Sequence, residues 1–213
     1  MKKRLAEYRD FFREFRRQFQ TTGAILPSSR FLAAALSRHV ADSDAPRRIL
    51  EVGPGTGAVT KQIVKRMSSD DHFDLVELNE SFVQVLEQRF ASEADFQRVA
   101  DRSRVLHQSI EELDEAEAYD VIISGLPLNN FSAELVESIL EVLTRLLKPG
   151  GTLSFFAYIA IRSARSGMAR GEERERLRGI HVAIKRLLDS HGLGREWIWV
   201  NVPPAWVHHV RKA

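Results

Sequence analysis

Cysteine is absent from this chain of 213 residues, so the sequence offers neither a disulfide framework nor a thiolate metal site. No apolar run reaches the roughly 20 residues that a membrane-spanning helix needs. The basic start of the chain lacks the uninterrupted apolar segment of a secretory signal peptide. A large excess of one charge is absent too, and the formal net charge of +2 is too small to imply a nucleic-acid ligand by itself. We therefore expect a cytoplasmic enzyme with one substantial core.

The first 20 residues are the most unusual part of the sequence. Aromatic residues recur there at three- and four-residue intervals, which predicts a helix with one aromatic face. Lysine and arginine dominate the other faces, and such a helix is typical of a segment that lies in a membrane interface. The alternative is that the aromatic face packs on the protein's own domain. We predict an amphipathic helix over residues 1–22 and a single domain over residues 23–213. The residues assigned to membrane binding are Lys2, Lys3, Arg4, Arg9, Phe11, Phe12, Arg13, Phe15, Arg16, Arg17 and Phe19.

A glycine-rich turn organises the rest of the chain. The apolar run from Ile49 to Val52 predicts a buried strand, and helical spacing resumes at Ala58 after the sequence E-V-G-P-G-T-G (51–57). Strand, glycine turn and helix form the first unit of a nucleotide-binding α/β sheet. Glycine is needed because the chain turns sharply while its backbone lies against a ligand. Gly53, Gly55 and Ala58 also satisfy the dinucleotide fingerprint, but Glu51 and Gly57 favour a different cofactor.

Five motifs carry a resemblance to known enzymes. E-V-G-P-G-T-G resembles motif I of the class I S-adenosylmethionine-dependent methyltransferases, and L-K-P-G-G before an apolar strand is frequent in that class. Together with G-A-I-L-P-S-S-R (23–30), S-G-L-P-L (124–128) and N-V-P-P-A (201–205), these motifs resemble the bacterial phospholipid N-methyltransferases over roughly residues 5–210. The resemblance implies an α/β, Rossmann-like fold. It has a seven-stranded, mostly parallel sheet with a C-terminal antiparallel hairpin and helices on both faces.

The expected cofactor is S-adenosylmethionine, without a metal. Glu77 ends the predicted second strand about 20 residues after Gly57, where an acidic side chain accepts from the two ribose hydroxyls. Ser28 and Ser29 stand at a helix start that would hold the carboxylate of the methionine moiety, or they are merely N-caps. Ser109 stands where these enzymes often place aspartate against the adenine. The cofactor-binding residues we predict are Ser28, Ser29, Glu51, Gly53, Pro54, Gly55, Gly57, Glu77, Leu78, Ser109, Ile110 and Ser124.

The methyl acceptor should meet the end of the fourth strand. Gly125, Leu126, Pro127 and Leu128 would form one wall and offer backbone carbonyls to an amine. Tyr158 would orient that amine or contact a methylated cation through its ring, unless it is an ordinary core tyrosine.

Two further segments have open interpretations. Residues 162–178 are rich in arginine and contain Gly167 and Gly171, which suits either a solvated loop with a helix start or a mobile lid that meets phosphate groups. His208 and His209 alternate across a predicted strand, so both cannot easily ligate one metal ion.

The resemblance implies that the enzyme methylates phosphatidylethanolamine and its methylated forms, towards phosphatidylcholine, at an anionic membrane surface. Such a protein would be cytoplasmic and peripherally associated with the membrane. One alternative is another acceptor, either a small lipophilic amine or an RNA adenine. The ribosomal RNA adenine dimethylases carry N-L-P-Y on the fourth strand, where this chain has Gly125 and Leu128 at the asparagine and tyrosine positions. We therefore expect no nucleic-acid partner. A further alternative is a membrane-binding protein without catalytic activity.

Overall fold

The computed structural model describes residues 30–41, 45–158, 169–199 and 204–213. Ser28, Ser29 and the proposed membrane-binding segment lie outside these ranges. In chain order, the helices and strands are α1 (Arg30–Leu36), β1 (Arg48–Val52), α2 (Thr60–Arg66), β2 (His72–Glu77), α3 (Glu80–Ser92), α4 (Ala94–Gln97), β3 (Ser103–His107), β4 (Tyr119–Ser124), α5 (Ala133–Leu146), β5 (Leu147–Tyr158), α6 (Ala169–His191), β6 (Gly192–Ile198) and β7 (Ala205–Arg211). Short 3-10 helices lie at Arg38–Ala41, Ala100–Arg102, Ile110–Glu112 and Leu128–Asn130.

The seven strands form one sheet in the order β3-β2-β1-β4-β5-β7-β6. Strands β1 to β5 pair in parallel, while β7 is antiparallel to both β5 and β6. The expected seven-stranded sheet with a C-terminal antiparallel hairpin is confirmed. Because β1 to β5 are parallel, their carboxyl ends meet at one edge, which we call the carboxyl edge. Strand β1 lies between β2 and β4, so the glycine turn that follows it is central on this edge.

Two apolar layers cover the sheet. Alternate residues of each strand point to opposite faces, so Leu50 and Ile49 belong to different core clusters. The cluster that contains Leu50 packs under α5 and α6, and the cluster that contains Ile49 packs under α1, α2 and α3. A central strand covered on both faces is mostly apolar, as Ile49, Leu50 and Val52 of β1 are, and Glu51 is the buried exception.

Helix α5 shows how local sequence positions an element. The Ser132 hydroxyl accepts from the backbone N–H of Leu135 at 3.2 Å and caps the helix. Apolar residues then recur every three or four positions, and one stripe from Leu135 to Leu146 is buried against the sheet. Substituting the capping serine by alanine would cost about 1 kcal/mol of stability.

A buried ion cluster ties four strands together away from the carboxyl edge. Asp74 of β2 is 2% exposed and accepts from Arg104 at 2.7 and 2.9 Å and from the Tyr119 hydroxyl at 2.9 Å. Arg48 of β1 donates to the same carboxylate at 3.0 Å. Burial opposes ionisation of Asp74, but these three donors together hold its pKa below its usual value. The cluster stabilises the sheet and leaves the carboxyl edge free.

Helix α6 differs from the sequence-based expectation. The helix starts at Ala169, so much of the arginine-rich segment is helical and Gly171 lies inside it. Ion pairs along the helix support this extension, for example Arg176 with Glu173 at 2.7 Å, an i,i+3 pair. The helix start of the first interpretation therefore lies at Ala169, residues 169–178 are helical and not a loop, and residues 162–168 lie outside the described ranges. Contact of this segment with phosphate groups stays a prediction. No helix in the described ranges is long and apolar enough to cross a membrane.

Candidate active site

The glycine turn after β1 leaves an opening at its centre. Gly53, Gly55 and Gly57 have φ angles of +68°, +56° and +82°. A Cβ at Gly55 would meet nothing within 4 Å, whereas a Cβ at Gly53 would lie 2.5 Å from a methyl of Leu126. Gly53 is therefore required by packing, while Gly55 borders open space in a conformation that other residues rarely adopt. Pro54 is buried, and its carbonyl accepts from Gly57 at 2.9 Å, which closes the turn.

Glu77 reaches from the end of β2 to this turn. Its side chain is 1% exposed, and Oε2 accepts from the backbone N–H of Gly55 at 3.0 Å. Oε1 accepts from the N–H of Asn79 at 2.8 Å. Burial raises the pKa of Glu77, although the backbone donors at Asn79, Gly55 and Leu78 oppose that shift. The predicted ribose acceptor is thus fixed beside the open position of the turn.

Glu51 lies beneath the turn and is fully buried. Its Oε2 accepts from the Thr60 hydroxyl at 2.7 Å. Its Oε1 has no hydrogen-bond partner within the described ranges. Burial raises the pKa of Glu51 to about 8, the Thr60 bond opposes this shift, and the nearby charge of Glu77 adds to it. A buried carboxylate oxygen without a partner is costly unless a donor from outside satisfies it.

A cleft on the carboxyl edge brings together the predicted residues from three strands. Gly53, Glu77, Leu78, Ser109 and Ile110 line it with Leu126 and Gln108. Ser109 is 1% exposed, and its hydroxyl accepts from the N–H of Glu111 at 3.3 Å. The backbone N–H of Ser109 donates to the Glu112 carboxylate at 3.2 Å. These two bonds form a capping box for the 3-10 helix Ile110–Glu112. Ser109 therefore shapes the cleft through its backbone position, and its side chain is already engaged.

The acceptor loop, Gly125–Leu128, lies directly against the glycine turn. The Gly125 N–H donates to the Val52 carbonyl at 2.8 Å, and a Cβ at Gly125 would lie 2.6 Å from the Gly53 carbonyl oxygen. Leu128 is fully buried in the core, so its side chain supports this wall from behind. Ser124 is also fully buried, and its hydroxyl accepts from Leu126 at 3.4 Å.

The carbonyls of this loop are mostly engaged in turns. Those of Leu126 and Pro127 accept from Leu128 and Asn130, each at 2.9 Å. An amine that donates to this loop, as expected, would use the second lone pair of these carbonyl oxygens or the carbonyl of Gly125.

Tyr158 stands at the end of β5 and is held by a residue that the sequence did not single out. Asn129 accepts from the Tyr158 N–H at 2.8 Å and donates to its carbonyl at 3.1 Å. Arg176 of α6 donates to the carbonyl of Asn129 at 2.7 Å and to that of Phe131 at 2.5 Å. The Tyr158 side chain is half-buried, packs edge-on against Phe156, and has its pKa raised by burial. The ring is thus fixed at the rim of the carboxyl edge.

Arg89 is a second residue that the sequence did not predict. From α3 it donates to the carbonyls of Thr56 at 2.6 Å and Gly57 at 3.0 Å, and so fixes the far side of the glycine turn. A Cβ at Gly57 would lie 2.8 Å from the Arg89 guanidinium. No local motif marks this arginine, because its contact with the turn spans more than 30 residues of sequence.

Comparisons with known proteins identify the family. A family profile described as "Methyltransferase domain" matches residues 49–151. The chain is 32% identical over 144 residues to the ornithine lipid N-methyltransferase of Singulisphaera acidiphila, an alignment that covers 68% of this chain and 74% of that protein. The chain belongs to the class I S-adenosylmethionine-dependent methyltransferases, within the bacterial lipid N-methyltransferase family.

Other known proteins are similar over a smaller part of the chain or at lower sequence identity. The chain is 34% identical over 105 residues to the ribosomal RNA small subunit methyltransferase A of Prochlorococcus marinus, an alignment that covers 49% of this chain and 35% of that protein. The crystal structure of the Burkholderia thailandensis 1,6-didemethyltoxoflavin-N1-methyltransferase, which has S-adenosylhomocysteine bound, superposes with a TM-score of 0.65 and 19% identity over 98% of this chain and 90% of that one. An O-methyltransferase structure from Thermotoga maritima gives 0.57 and 14%, over 92% and 70% of the two chains. These two structures confirm the fold.

The residues present fit the cofactor of a class I methyltransferase. The unpartnered Glu51 Oε1 suits the ammonium of the methionine moiety, because a buried carboxylate oxygen gains most from a charged donor. The open face at Gly55 admits a ligand against the backbone, and Glu77 lies beside it for the ribose hydroxyls. Among the described residues, no three histidine, aspartate or glutamate side chains are grouped so as to hold a metal ion.

Proposed function

We propose that this methyltransferase methylates the amine of a membrane lipid, with phosphatidylethanolamine and its methylated forms as the first candidate. The observation that carries the proposal is the 32% identity to a lipid N-methyltransferase, joined to the P-S-S and S-G-L-P-L motifs at their expected positions. That relative acts on ornithine lipid, as its name states, so ornithine lipid is the second candidate. Both head groups present a primary amine.

The acceptor side of the site suits a neutral amine. When bound, S-adenosylmethionine supplies a methyl group already activated on a sulfonium, so the protein mainly aligns the amine and excludes water. An amine with a lysine-like pKa of about 10.4 must lose its proton, at a cost of roughly 4–5 kcal/mol near pH 7. The apolar surroundings supplied by Leu126 and Pro127 disfavour the ammonium and lower that cost. Tyr158 at the rim would orient the amine or contact a methylated cation.

The rival substrate is an RNA adenine, since the chain also resembles a ribosomal RNA methyltransferase over half its length. In that group an asparagine accepts from the base and an aromatic ring stacks on it. Gly125 and Leu128 occupy those two positions here, and Leu128 is fully buried. The acceptor loop therefore lacks both means of holding a flipped base.

The acceptor is tested by following labelled methyl transfer from S-adenosylmethionine. Vesicles containing phosphatidylethanolamine, its monomethyl form or ornithine lipid would be compared with ribosomal RNA. Transfer to one or more of the lipids and none to RNA supports the proposal. Transfer to RNA alone would replace it.

The segment 1–20 would bring the enzyme to the bilayer, because a two-chain lipid barely leaves the membrane. Its seven basic side chains would contribute on the order of 1 kcal/mol each near an anionic surface, before its three acids and salt are discounted.

Deleting residues 1–20 should abolish vesicle binding and methylation of bilayer lipid while cofactor binding survives. Replacing Arg13, Arg16 and Arg17 by glutamate should weaken binding to anionic vesicles and leave neutral vesicles little affected. Equal co-sedimentation of the truncated and full chains with anionic vesicles would show that the segment is structural.

A further inference from the structure

A groove of about 700 Å³ lies between α6 and the β6–β7 hairpin, on the sheet face that carries Leu50. We call it the α6 groove. Four side chains from successive turns of α6 line one wall, and strands β5 and β7 form its floor. The apolar residues that define it are Leu177, Ile180, Ile184, Leu188, Ala157 and Trp206. The cofactor cleft at the glycine turn lies at the same edge of the sheet, but it is lined by different residues.

The dimensions of the groove match one hydrocarbon chain. Leu177 and Leu188 are eleven residues apart on the helix, which corresponds to roughly 16 Å at 1.5 Å per residue. One leaflet of a bilayer has a hydrocarbon depth of about half the usual 30 Å. A single acyl chain therefore spans the wall from end to end.

One end of the groove lies at the carboxyl edge, next to the acceptor loop. Asn129, which follows that loop, and Tyr158 line this end. Leu188 and Gly192 line the other end, and Gly192 pairs through β7 with the part of β5 far from Tyr158. A chain in the groove would thus point its head towards the acceptor loop.

His208 lies between the two ends. It is 7% exposed, its ring stacks on Phe155 at 5.2 Å, and its Nδ1 has no hydrogen-bond partner among the described residues. Burial, together with the nearby charges of Arg195, His209 and His181, lowers the pKa of His208 to about 4, so the imidazole is neutral at pH 7. A neutral ring brings no charge into the groove.

The charges at the rim are largely matched. Lys185 and Asp189 of α6 pair with each other at 2.5 Å, and the guanidinium carbon of Arg195 lies 4.7 Å from the ring centre of Trp206. The α6 wall and the floor of the groove therefore present mainly apolar surface, which favours an apolar ligand.

We propose that the α6 groove binds one acyl chain of the lipid acceptor, with the amine-bearing head group at the end that Asn129 and Tyr158 line. This inference rests on the proposed lipid substrate, and it adds the site that holds the lipid's hydrocarbon part. A chain held there would favour a lipid amine over a water-soluble one.

Tryptophan fluorescence tests the groove without methyl transfer. The chain has three tryptophans, and Trp206 lines the groove while Trp199 is 70% exposed. In the full-length double variant Trp197→Phe/Trp199→Phe, Trp206 is the remaining fluorophore. A lysophosphatidylethanolamine with a brominated chain, kept below its critical micelle concentration, should cause a saturable loss of this fluorescence. Glycerophosphoethanolamine, which has the head group and no chain, should cause none.

Matched variants separate the groove from general adsorption. Leu188→Glu places a charge inside the groove and should abolish the quenching. Val182→Glu makes the same change at an exposed position of α6 and should not. Binding of S-adenosylhomocysteine by both variants would show that the fold is kept. A protein that retains only Trp199 should be quenched weakly or not at all.

Several results would overturn the inference. They are the absence of Trp206 quenching, equal quenching in Leu188→Glu, and equal quenching of Trp199. Quenching that appears only after residues 1–29 are removed would mean that the chain's own N-terminal segment fills the groove. Trp206 quenching without methyl transfer to any lipid would refute the proposed function and leave the chain-binding groove standing. Methyl transfer without quenching would do the reverse.

Discussion

Glu51 should couple cofactor binding to pH. It is fully buried, Oε2 is bonded to Thr60, and Oε1 has no partner among the described residues. Burial raises its pKa to about 8, so most copies of the cofactor-free enzyme carry a proton on Glu51 at pH 7. An ammonium group bound at Oε1 favours the carboxylate, so cofactor binding should release that proton.

The sign of the stability effect follows from the two protonation states. Between the ordinary value of 4.5 and the folded value of about 8, the folded chain holds a proton that the unfolded chain has lost. Stability from this group is therefore fully present below pH 4.5 and is lost as pH rises to about 8. The loss is about 5 kcal/mol at roughly 1.4 kcal/mol per pH unit. Cofactor affinity moves in the opposite direction and should rise by up to about tenfold per pH unit below the folded pKa.

Glu51→Gln removes this linkage, because the amide does not titrate. Urea unfolding of the cofactor-free proteins at about pH 6, 7 and 8.5 should show a smaller fall in stability for the variant, which becomes the more stable protein at the highest pH. The variant should also bind S-adenosylhomocysteine more weakly, because a neutral amide replaces the charged partner of the ammonium. Calorimetry in two buffers with different ionisation enthalpies measures the released proton.

Two results would refute this reasoning. One is binding near pH 7 without proton release by the unmodified enzyme. The other is a variant that keeps the same pH dependence of unfolding and of affinity. Thr60→Val serves as a control, because loss of the hydroxyl that favours the carboxylate should raise the pKa of Glu51 further and strengthen the pH dependence.

Three substitutions, two of them with a matched control substitution, test the rest of the site. Gly55→Val and its control Gly150→Val place the same side chain at φ angles of +56° and +75°, and a Cβ at either position would meet nothing within 4 Å. Both variants should lose about 1–2 kcal/mol of stability, but only Gly55→Val should abolish S-adenosylhomocysteine binding. Equal affinities in the two folded variants would remove the cofactor assignment. Glu77→Ala should weaken cofactor binding by roughly 1–3 kcal/mol, and an effect on turnover alone would contradict the ribose role. Asn129→Ala removes two bonds to the end of β5 and should lower kcat with cofactor affinity kept, while Asn130→Ala, at the exposed neighbour, should change neither.

The sequence predicted the parts of the fold that depend on local pattern. β1 and the glycine turn were found because an apolar run followed by closely spaced glycines reflects burial and backbone conformation within ten residues. The final hairpin was expected from the family resemblance, and the structure places it at Gly192–Ile198 and Ala205–Arg211. The start of α6 was missed because its first turns are charged, and a helix supported by ion pairs lacks the apolar period that marks a buried one.

Contacts between distant parts of the chain could not be predicted in this way. Asn129 meets Tyr158 across 29 residues, and Arg89 meets Thr56 across 33. Neither residue belongs to a local motif, and both act through backbone groups that carry no sequence signal. Asp74 was hidden for a similar reason, since one acid inside a predicted strand gives no sign of the three donors that surround it.

The packing of Gly125 explains why the acceptor loop has no polar side chain at its start. Its N–H donates to the Val52 carbonyl, and a Cβ would lie 2.6 Å from the Gly53 carbonyl oxygen. The loop can therefore approach the glycine turn only because residue 125 has no side chain. Leu126 then covers Gly53, where the glycine leaves room for its methyl group. An asparagine at position 125 would require the loop or the turn to shift, because its Cβ would meet the Gly53 carbonyl oxygen. The close approach of loop and turn in this chain therefore supports the proposed amine acceptor over a base held by an asparagine at this position.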